Sequence, residues 1–247
     1  MLILLSNDDG VYSDGIKTLA AKLQKFARVV VVAPDREQSA SSHSITLHRP
    51  LRIVQVKKNF YGVSGTPTDC ITLGVNEVLK RRPDLIVSGI NRGANLGDDV
   101  HYSGTVSAAM EGAIMGIPSM AVSLVTREDH PKFTVAANFA AKLVRKVMNS
   151  GLPKGVMLNV NIPNIPQKKV KGYQYCILGK RNYSEAIVEK IDPRGKKYYW
   201  IGGDEVGSDN IPGSDCNAVT AGYISITPLN INVTDYPFLE QIRGWKI

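Results

Sequence analysis

The stretch Leu2-Ile3-Leu4-Leu5-Ser6-Asn7-Asp8-Asp9-Gly10 decides the fold. A short unbroken apolar run closed by Asn, Asp and Gly predicts a buried strand that ends in a turn, with two carboxylates at its carboxyl end. Beyond it, Ile16, Leu19, Ala20 and Leu23 recur at helical spacing within residues 15–26, and residues 29–33 form an apolar run stopped by Pro34. Strand, helix and strand in that order make a βαβ unit.

The same alternation continues. Residues 51–56 alternate apolar and polar, the Lys57-Lys58-Asn59 cluster signals a turn, and residues 60–63 can return as a hairpin partner. Thr66-Pro67-Thr68-Asp69 starts a helix: Thr66 can cap, Pro67 suits the first helical position, and Asp69 sits in the first turn. A strand over residues 84–88 ended by Gly89, a polar loop over 91–104, a helix over 105–115, a strand over 119–124, a helix face from Phe133 to Met148 and a strand over 156–160 follow. This pattern predicts an α/β fold, a mostly parallel sheet with helices on both faces, whose ligand crevice lies beyond the carboxyl ends of the strands.

From about residue 165 the alternation stops. Asp192-Pro193-Arg194-Gly195 favours a type I turn between residues 185–191 and 196–201, giving a β-hairpin. Residues 222–227 read as one more strand and 235–243 as a short terminal helix. The expected organisation is a core over residues 1–165 with an appended region over 166–247.

Bulk properties narrow the class. With 247 residues, 43% apolar and 21% charged, the chain is long enough for a full core and is neither collagen-like, coiled-coil nor wholly disordered. No apolar run approaches the roughly 20 residues that cross a bilayer, and residues 2–5 are too few for a signal-peptide core, so no membrane association and a cytoplasmic location are expected. Three widely spaced cysteines without a C-x-x-C pair support neither a disulfide framework nor a zinc site. The net charge of +8 is concentrated. Residues 166–200 hold nine Lys or Arg against three Asp or Glu, while Asp204, Glu205, Asp209 and Asp215 follow with no basic residue among them. Opposite blocks of this kind suggest pairing, and the absence of any nucleic-acid motif argues against a nucleic-acid polymer as partner.

Adjacent carboxylates at Asp8 and Asp9 raise each other's pKa unless a cation neutralises them. A hard cation such as magnesium or manganese would do so with further oxygen ligands, and Ser39, in the polar loop after the second strand, could supply one. An Asx turn with Gly10 is the plain alternative for the acid pair. The third loop brings Asn91, Gly93 and Asn95, and Ser103-Gly104-Thr105 opens a helix whose N–H groups favour a phosphate; capping by Ser103 is compatible with that. Three neighbouring chemistries fail on the letters. A haloacid-dehalogenase-type phosphatase needs acids at positions occupied by Asn7 and Asp9, a phospho-accepting receiver needs a lysine ending its last strand, and a dinucleotide site needs G-x-G-x-x-G after strand one.

Taken together, residues 4–10 with Val32-Ala33-Pro34-Asp35-Arg36 and Ser39, Gly65-Thr66-Pro67-Thr68-Asp69-Cys70, Val87-Ser88-Gly89-Ile90-Asn91-Arg92-Gly93, Asn95-Leu96-Gly97-Asp98-Asp99 and Tyr102-Ser103-Gly104-Thr105-Val106 closely resemble the SurE family of survival proteins. Asn159-Val160-Asn161-Ile162-Pro163 and residues 222–228 extend the likeness over nearly the whole chain. Ala94 departs from it, standing where a proline is common. The resemblance implies a Rossmann-like core and a metal-dependent 5'-nucleotidase acting on nucleoside 5'-monophosphates, with 3'-monophosphates and short polyphosphate as further candidate substrates. It implies one divalent ion per subunit (Mg2+ or Mn2+) held by Asp8, Asp9, Ser39 and Asn91, and a homodimer or homotetramer that exchanges C-terminal segments. Asp8 or Asp9 would orient or deprotonate the attacking water, and Asn95, Ser103, Gly104 and Thr105 would hold the phosphate. A non-catalytic nucleotide-binding module would bind the same ligand without releasing phosphate.

Overall fold

The computed structural model describes residues 1–184, 187–201 and 205–246, with the side chains of Glu205 and Val206 outside the description. Of the positions singled out above, Glu185 at the start of the expected hairpin and Asp204 in the acidic block also lie outside it.

Strand β1 (Leu2–Ser6) is buried along its whole length and pairs in parallel with β2 (Arg28–Pro34), placing Leu4 beside Val30, and with β5 (Leu85–Arg92), placing Leu5 beside Val87. That explains why neither β1 nor β2 alternates in sequence: a parallel strand covered on both faces wants apolar residues at every position. The full sheet runs β3-β4-β2-β1-β5-β6-β7-β13-β8, where β3 is Ile53–Lys57, β4 Phe60–Val63, β6 Ser119–Val125, β7 Val156–Pro163, β8 Tyr173–Tyr175 and β13 Ile224–Asn230. All neighbours are parallel except β3 with β4 and β7 with β13.

Helices cover both faces. On one, α1 (Asp14–Leu23) and α4 (Thr134–Ser150) close a core through Ile16, Leu19 and Leu23 against Ala136, Ala140 and Val144. On the other, α2 (Pro67–Leu73) and α3 (Gly104–Ile114) cover Leu4, Val32 and Ile86 with Ile71 and Ala108. The start of α2 is a full capping box, with Asp69 N–H donating to Thr66 Oγ1 at 3.1 Å and Thr66 N–H to Asp69 Oδ2 at 2.9 Å.

Gly89 does not end its strand. The register slips by one residue between Gly89 and Asn91, so β5 carries a bulge and continues to Arg92. Gly89 has φ +133°, and a Cβ there would strike the Val122 carbonyl, so only glycine passes this point. The bulge carries Asn91 to the carboxyl edge of the sheet beside Ser123.

The C-terminal region is more elaborate than the sequence reading. Edge strand β8, helix α5 (Asp215–Thr220), and a small sheet of β9 (Arg181–Tyr183) with β12 (Glu205–Ser208) precede or accompany β13. The hairpin forms as expected from β10 (Ile187–Ile191) and β11 (Lys197–Ile201), its turn fixed by Asp192 Oδ1 accepting from Arg194 N–H and Lys196 N–H, both at 2.8 Å. The expected pairing of charge blocks is absent at Asp215, which turns inward. Its buried carboxylate accepts from the N–H groups of Gly97, Gly179 and Cys216 at 2.8 to 3.0 Å, a demand of tight backbone that outweighs surface attraction. The last helix, α6 (Tyr236–Ile242), buries no residue in the single chain. Cys70, Cys176 and Cys216 are buried and unpaired, and no helix among the described residues is long and apolar enough to cross a membrane.

Candidate active site at the carboxyl edge of the sheet

The turns after β1, β2 and β5 open into one cleft of about 750 Å³ lined by Asp8, Asp9, Ser39, Asn91, Asn95 and Ser103 among others. Four of these six come from the ends of three parallel strands, the place where an open α/β sheet offers a crevice.

Asn7 fixes the first turn, its amide donating to Gly10 O at 3.0 Å and Ser13 Oγ at 2.8 Å. That leaves the next two side chains to face the cleft. Asp8 is almost fully buried and is held from the start of α3: Thr105 N–H donates to Oδ2 at 3.0 Å and the Thr105 hydroxyl to Oδ1. Asp9 is more open and accepts Arg92 N–H on Oδ2 at 3.1 Å. Burial raises the Asp8 carboxyl above its ordinary value in spite of the Thr105 hydrogen bonds, and burial with the charge of Asp8 pushes Asp9 up to about 7. Glu37 adds to both shifts. Of the nearby cations, Arg181 pairs with Asp99 and Arg92 with Asp129 at 3.2 Å; the Arg92 charge draws Asp9 down, but by less than burial and Asp8 push it up.

The donors suit a hard divalent cation. Asp8 and Asp9 supply carboxylates, Ser39 a hydroxyl and Asn91 an amide oxygen, all oxygen donors of the kind magnesium and manganese prefer. The Asn91 amide nitrogen donates to Gly93 O at 3.1 Å, which leaves its oxygen for another partner. The Ser39 hydroxyl instead donates to Glu37 Oε1 at 2.6 Å and keeps its lone pairs available. Among the described residues no three His, Cys, Asp or Glu side chains converge on one point, so a cation here would rest on two acids and neutral oxygens.

Behind the acids, the start of α3 divides its polar groups. Ser103 Oγ accepts Val106 N–H at 3.0 Å and keeps its own proton free, and Gly104 N–H has no acceptor among the described residues. Thr105, by contrast, is fully buried with both donors on Asp8, and it stands behind the cleft wall rather than in it. Asn95 is gripped by the core. Its N–H donates to Asn161 Oδ1 at 2.8 Å, its carbonyl accepts from the amides of Asn159 and Asn161, and its own amide donates to Ser123 Oγ at 2.7 Å. One amide hydrogen of Asn95 remains for the cleft. Ala94, the position departing from the family pattern, packs against the cluster of Leu96, Cys216 and Val219.

Sequence reasoning missed part of the wall. Glu37, Asp99, Tyr102, Arg181 and Tyr183 also line the cleft, with Asp99 accepting from both Arg181 and, at 2.6 Å, the Tyr183 hydroxyl. Arg181 and Tyr183 arrive from the appended region, far away in sequence. Asp99 and Tyr102 were visible only as members of the quoted motifs.

Comparison with known proteins gives the family. The family model described as "Survival protein SurE" matches residues 3–185. A 5'-nucleotidase SurE of Geobacter sp. (strain M21) is 51% identical over 247 residues, the full length of both chains. That of Anaeromyxobacter dehalogenans is 52% identical over 250 aligned positions, covering 100% of this chain and 96% of its own. The crystal structure of the SurE protein from Aquifex aeolicus superposes with a TM-score of 0.89 at 46% identity over 98% of each chain.

Proposed function

This chain belongs to the survival protein SurE family, and from that premise we propose that it is a metal-dependent 5'-nucleotidase, hydrolysing nucleoside 5'-monophosphates to nucleoside and inorganic phosphate. The observation that carries the reading is the pair of buried Asp8 and half-buried Asp9 facing one cleft with Ser39 and Asn91. We assign those four residues to one divalent ion, Mg2+ or Mn2+. When bound, such an ion supplies charge neutralisation at the phosphate and acidification of a water.

The chain's own residues divide the remaining work. Both oxygens of Asp8 are already engaged by Thr105, whereas Asp9 Oδ1 has no hydrogen-bond donor among the described residues. Asp9 is therefore the better placed of the two to orient the attacking water and accept its proton. Ser103 Oγ and the Asn95 amide present donors to the phosphate at the positive end of α3, and the N–H of Gly104, a buried residue outside the cleft lining, is assigned to support them. Thr105, included above among the phosphate ligands, acts instead by holding Asp8.

We assign residues 1–165 to the catalytic core and residues 166–247 to completing it and to assembly with further copies, as a dimer or tetramer. Every residue of β10 and β11 is exposed, including Ile201 at 92%, and α6 carries exposed Tyr236 and Phe238. Apolar surface of this extent asks for a partner.

The test is release of inorganic phosphate from a panel of nucleoside 5'-monophosphates, with chelator and after adding back each divalent metal. Turnover lost with chelator and restored by magnesium or manganese is expected. Turnover unaffected by chelator would remove the metal, and no release from any nucleotide would leave a binding module. The same assay with 3'-monophosphates and short polyphosphate defines the substrate range.

A further inference from the structure

The two segments that build the α1 and α4 face are free of carboxylates: no Asp or Glu occurs in residues 15–34 or 131–184. Basic residues there can pair only with carboxylates from outside the segments, as Lys17 does with Asp14 and Arg181 with Asp99. Lys22, Lys25, Lys142 and Arg145 surround a groove of about 340 Å³, and none of them has a carboxylate partner among the described residues. Arg145 sits over the Phe26 ring, its guanidinium carbon 4.1 Å from the ring centre. Four cations around one concavity repel each other unless an anion sits between them.

The groove does not end there. It shares Asn138, Lys142 and Gln167 with an adjoining, mostly apolar hollow of about 290 Å³, whose walls include Phe139, Val170 and Tyr173. The Phe139 and Tyr173 rings stand 6.1 Å apart at 49°. One end of the combined groove is thus built for negative charge and the other for a flat apolar body, with two amide side chains between them. Its dimensions suit a small molecule rather than a protein segment. Lys22 and Lys25 stand at the end of α1 remote from the turn that carries Asp8, so this is not an extension of the cleft.

We propose that this groove is a second ligand site, taking an organic phosphate whose charged groups lie among Lys22, Lys25, Lys142 and Arg145 and whose ring lies against Phe139 and Tyr173. A nucleotide has that chemistry. The proposal stands apart from the nucleotidase assignment, since none of these residues lines the cleft.

The experiment is calorimetric titration of the full chain, in chelator, with the nonhydrolysable α,β-methylene-ADP, and with pyrophosphate for comparison. Wild-type chain should bind the analogue at one site in this groove, and Lys142→Ala/Arg145→Ala should weaken it by at least about tenfold, as expected for loss of charge-assisted contacts. Tyr173→Ala should weaken the analogue but not pyrophosphate. Turnover of nucleoside monophosphate should be unchanged in both variants. Equal binding by wild type and the double variant, loss of binding in Asp9→Asn alone, or no saturable binding would overturn the proposal. So would light scattering showing that Tyr173→Ala and the double variant dissociate the oligomer, because the face would then be covered by a second copy.

Discussion

Thr105 donates twice to Asp8, 97 residues away in sequence, its N–H reaching Oδ2 at 3.0 Å and its hydroxyl reaching Oδ1. The start of α3 therefore holds an anion supplied by the chain itself, and the positive end of the helix dipole points at the deepest carboxylate of the cleft. Thr105→Val keeps the shape and removes only the hydroxyl. Turnover is expected to fall roughly 10- to 100-fold at limiting metal, the usual cost of losing a group that orients a ligand, with the melting temperature little changed. Thr105→Ser should restore most of the activity, and a Val variant with normal metal dependence would show that the contact only packs the helix.

Asp8→Asn or Asp9→Asn should remove metal binding and lower turnover by more than roughly 100-fold while the apoprotein remains folded. Near-normal turnover by both variants at limiting magnesium and manganese would sink the ligand assignment.

The same pair gives the metal-free chain a pH dependence. Asp9 is raised from 3.8 to about 7 on folding, so between those values the folded state keeps a proton that the unfolded chain has released. This contribution to stability is full below the lower value and is lost as pH rises through the upper one. In chelator the melting temperature should therefore fall by about 5 °C or more from pH 4 to pH 7, and Asp9→Asn should flatten that fall. A wild-type curve parallel to that of Asp9→Asn would refute the assignment to Asp9.

Gly104 meets Asp8 from the other side. A Cβ there would lie 2.7 Å from Ser41 Oγ and 2.9 Å from the Asp8 Cβ, so the methyl group of Gly104→Ala has to displace either the loop or the carboxylate. A shift of about 1 Å at a reacting centre costs about 100-fold, and kcat should drop accordingly. In a complex with inorganic phosphate, the wild-type chain should place the anion against Ser103 and Gly104. Phosphate bound elsewhere in the cleft would refute that placement.

These relationships were unequally visible in the sequence. Asp8, Asp9, the capping box of Thr66 with Asp69 and the helix start at Ser103 are local features, set by residues within a few positions of one another. They were readable because turn and cap chemistry is local. That both donors of Thr105 go to Asp8 was not, since it depends on which side of the helix start Asp8 approaches. Gly89 reads as a stop signal and proves to be a bulge, because the register of β5 is set by its neighbour β6. Arg181 and Asp215 read only as members of a basic and an acidic block, and Tyr183 gave no signal. Their partners, Asp99 for Arg181 and Tyr183 and the Gly97 and Gly179 turns for Asp215, are distant in sequence.

The hairpin of β10 and β11 gives the last prediction. Among the described residues its two strands pair only with each other, joining Ile187 to Ile201 and Val188 to Trp200, and an isolated two-stranded ribbon is marginal in water. Trp200 is 64% exposed, and Tyr198 and Tyr199 are exposed beside it, so these rings bury little surface in the single chain. Lys197 pairs with Glu189 across the ribbon at 2.9 Å, a surface pair worth at most about 1 kcal/mol and too weak to fix the arm alone. Burial of the rings on another copy would supply the missing stability. Yet Ile187 and Ile201, at the root of the hairpin, also line the cleft, so the arm joins the assembly surface to the site. Deleting residues 185–201 with a short Gly-Ser closure should shift the oligomer to a smaller species in sedimentation, and should also raise KM for nucleotide by opening one wall of the cleft. Trp200→Ala should weaken assembly while leaving that wall in place. An unchanged mass across a dilution series for the deletion variant would show that the hairpin is not an assembly element.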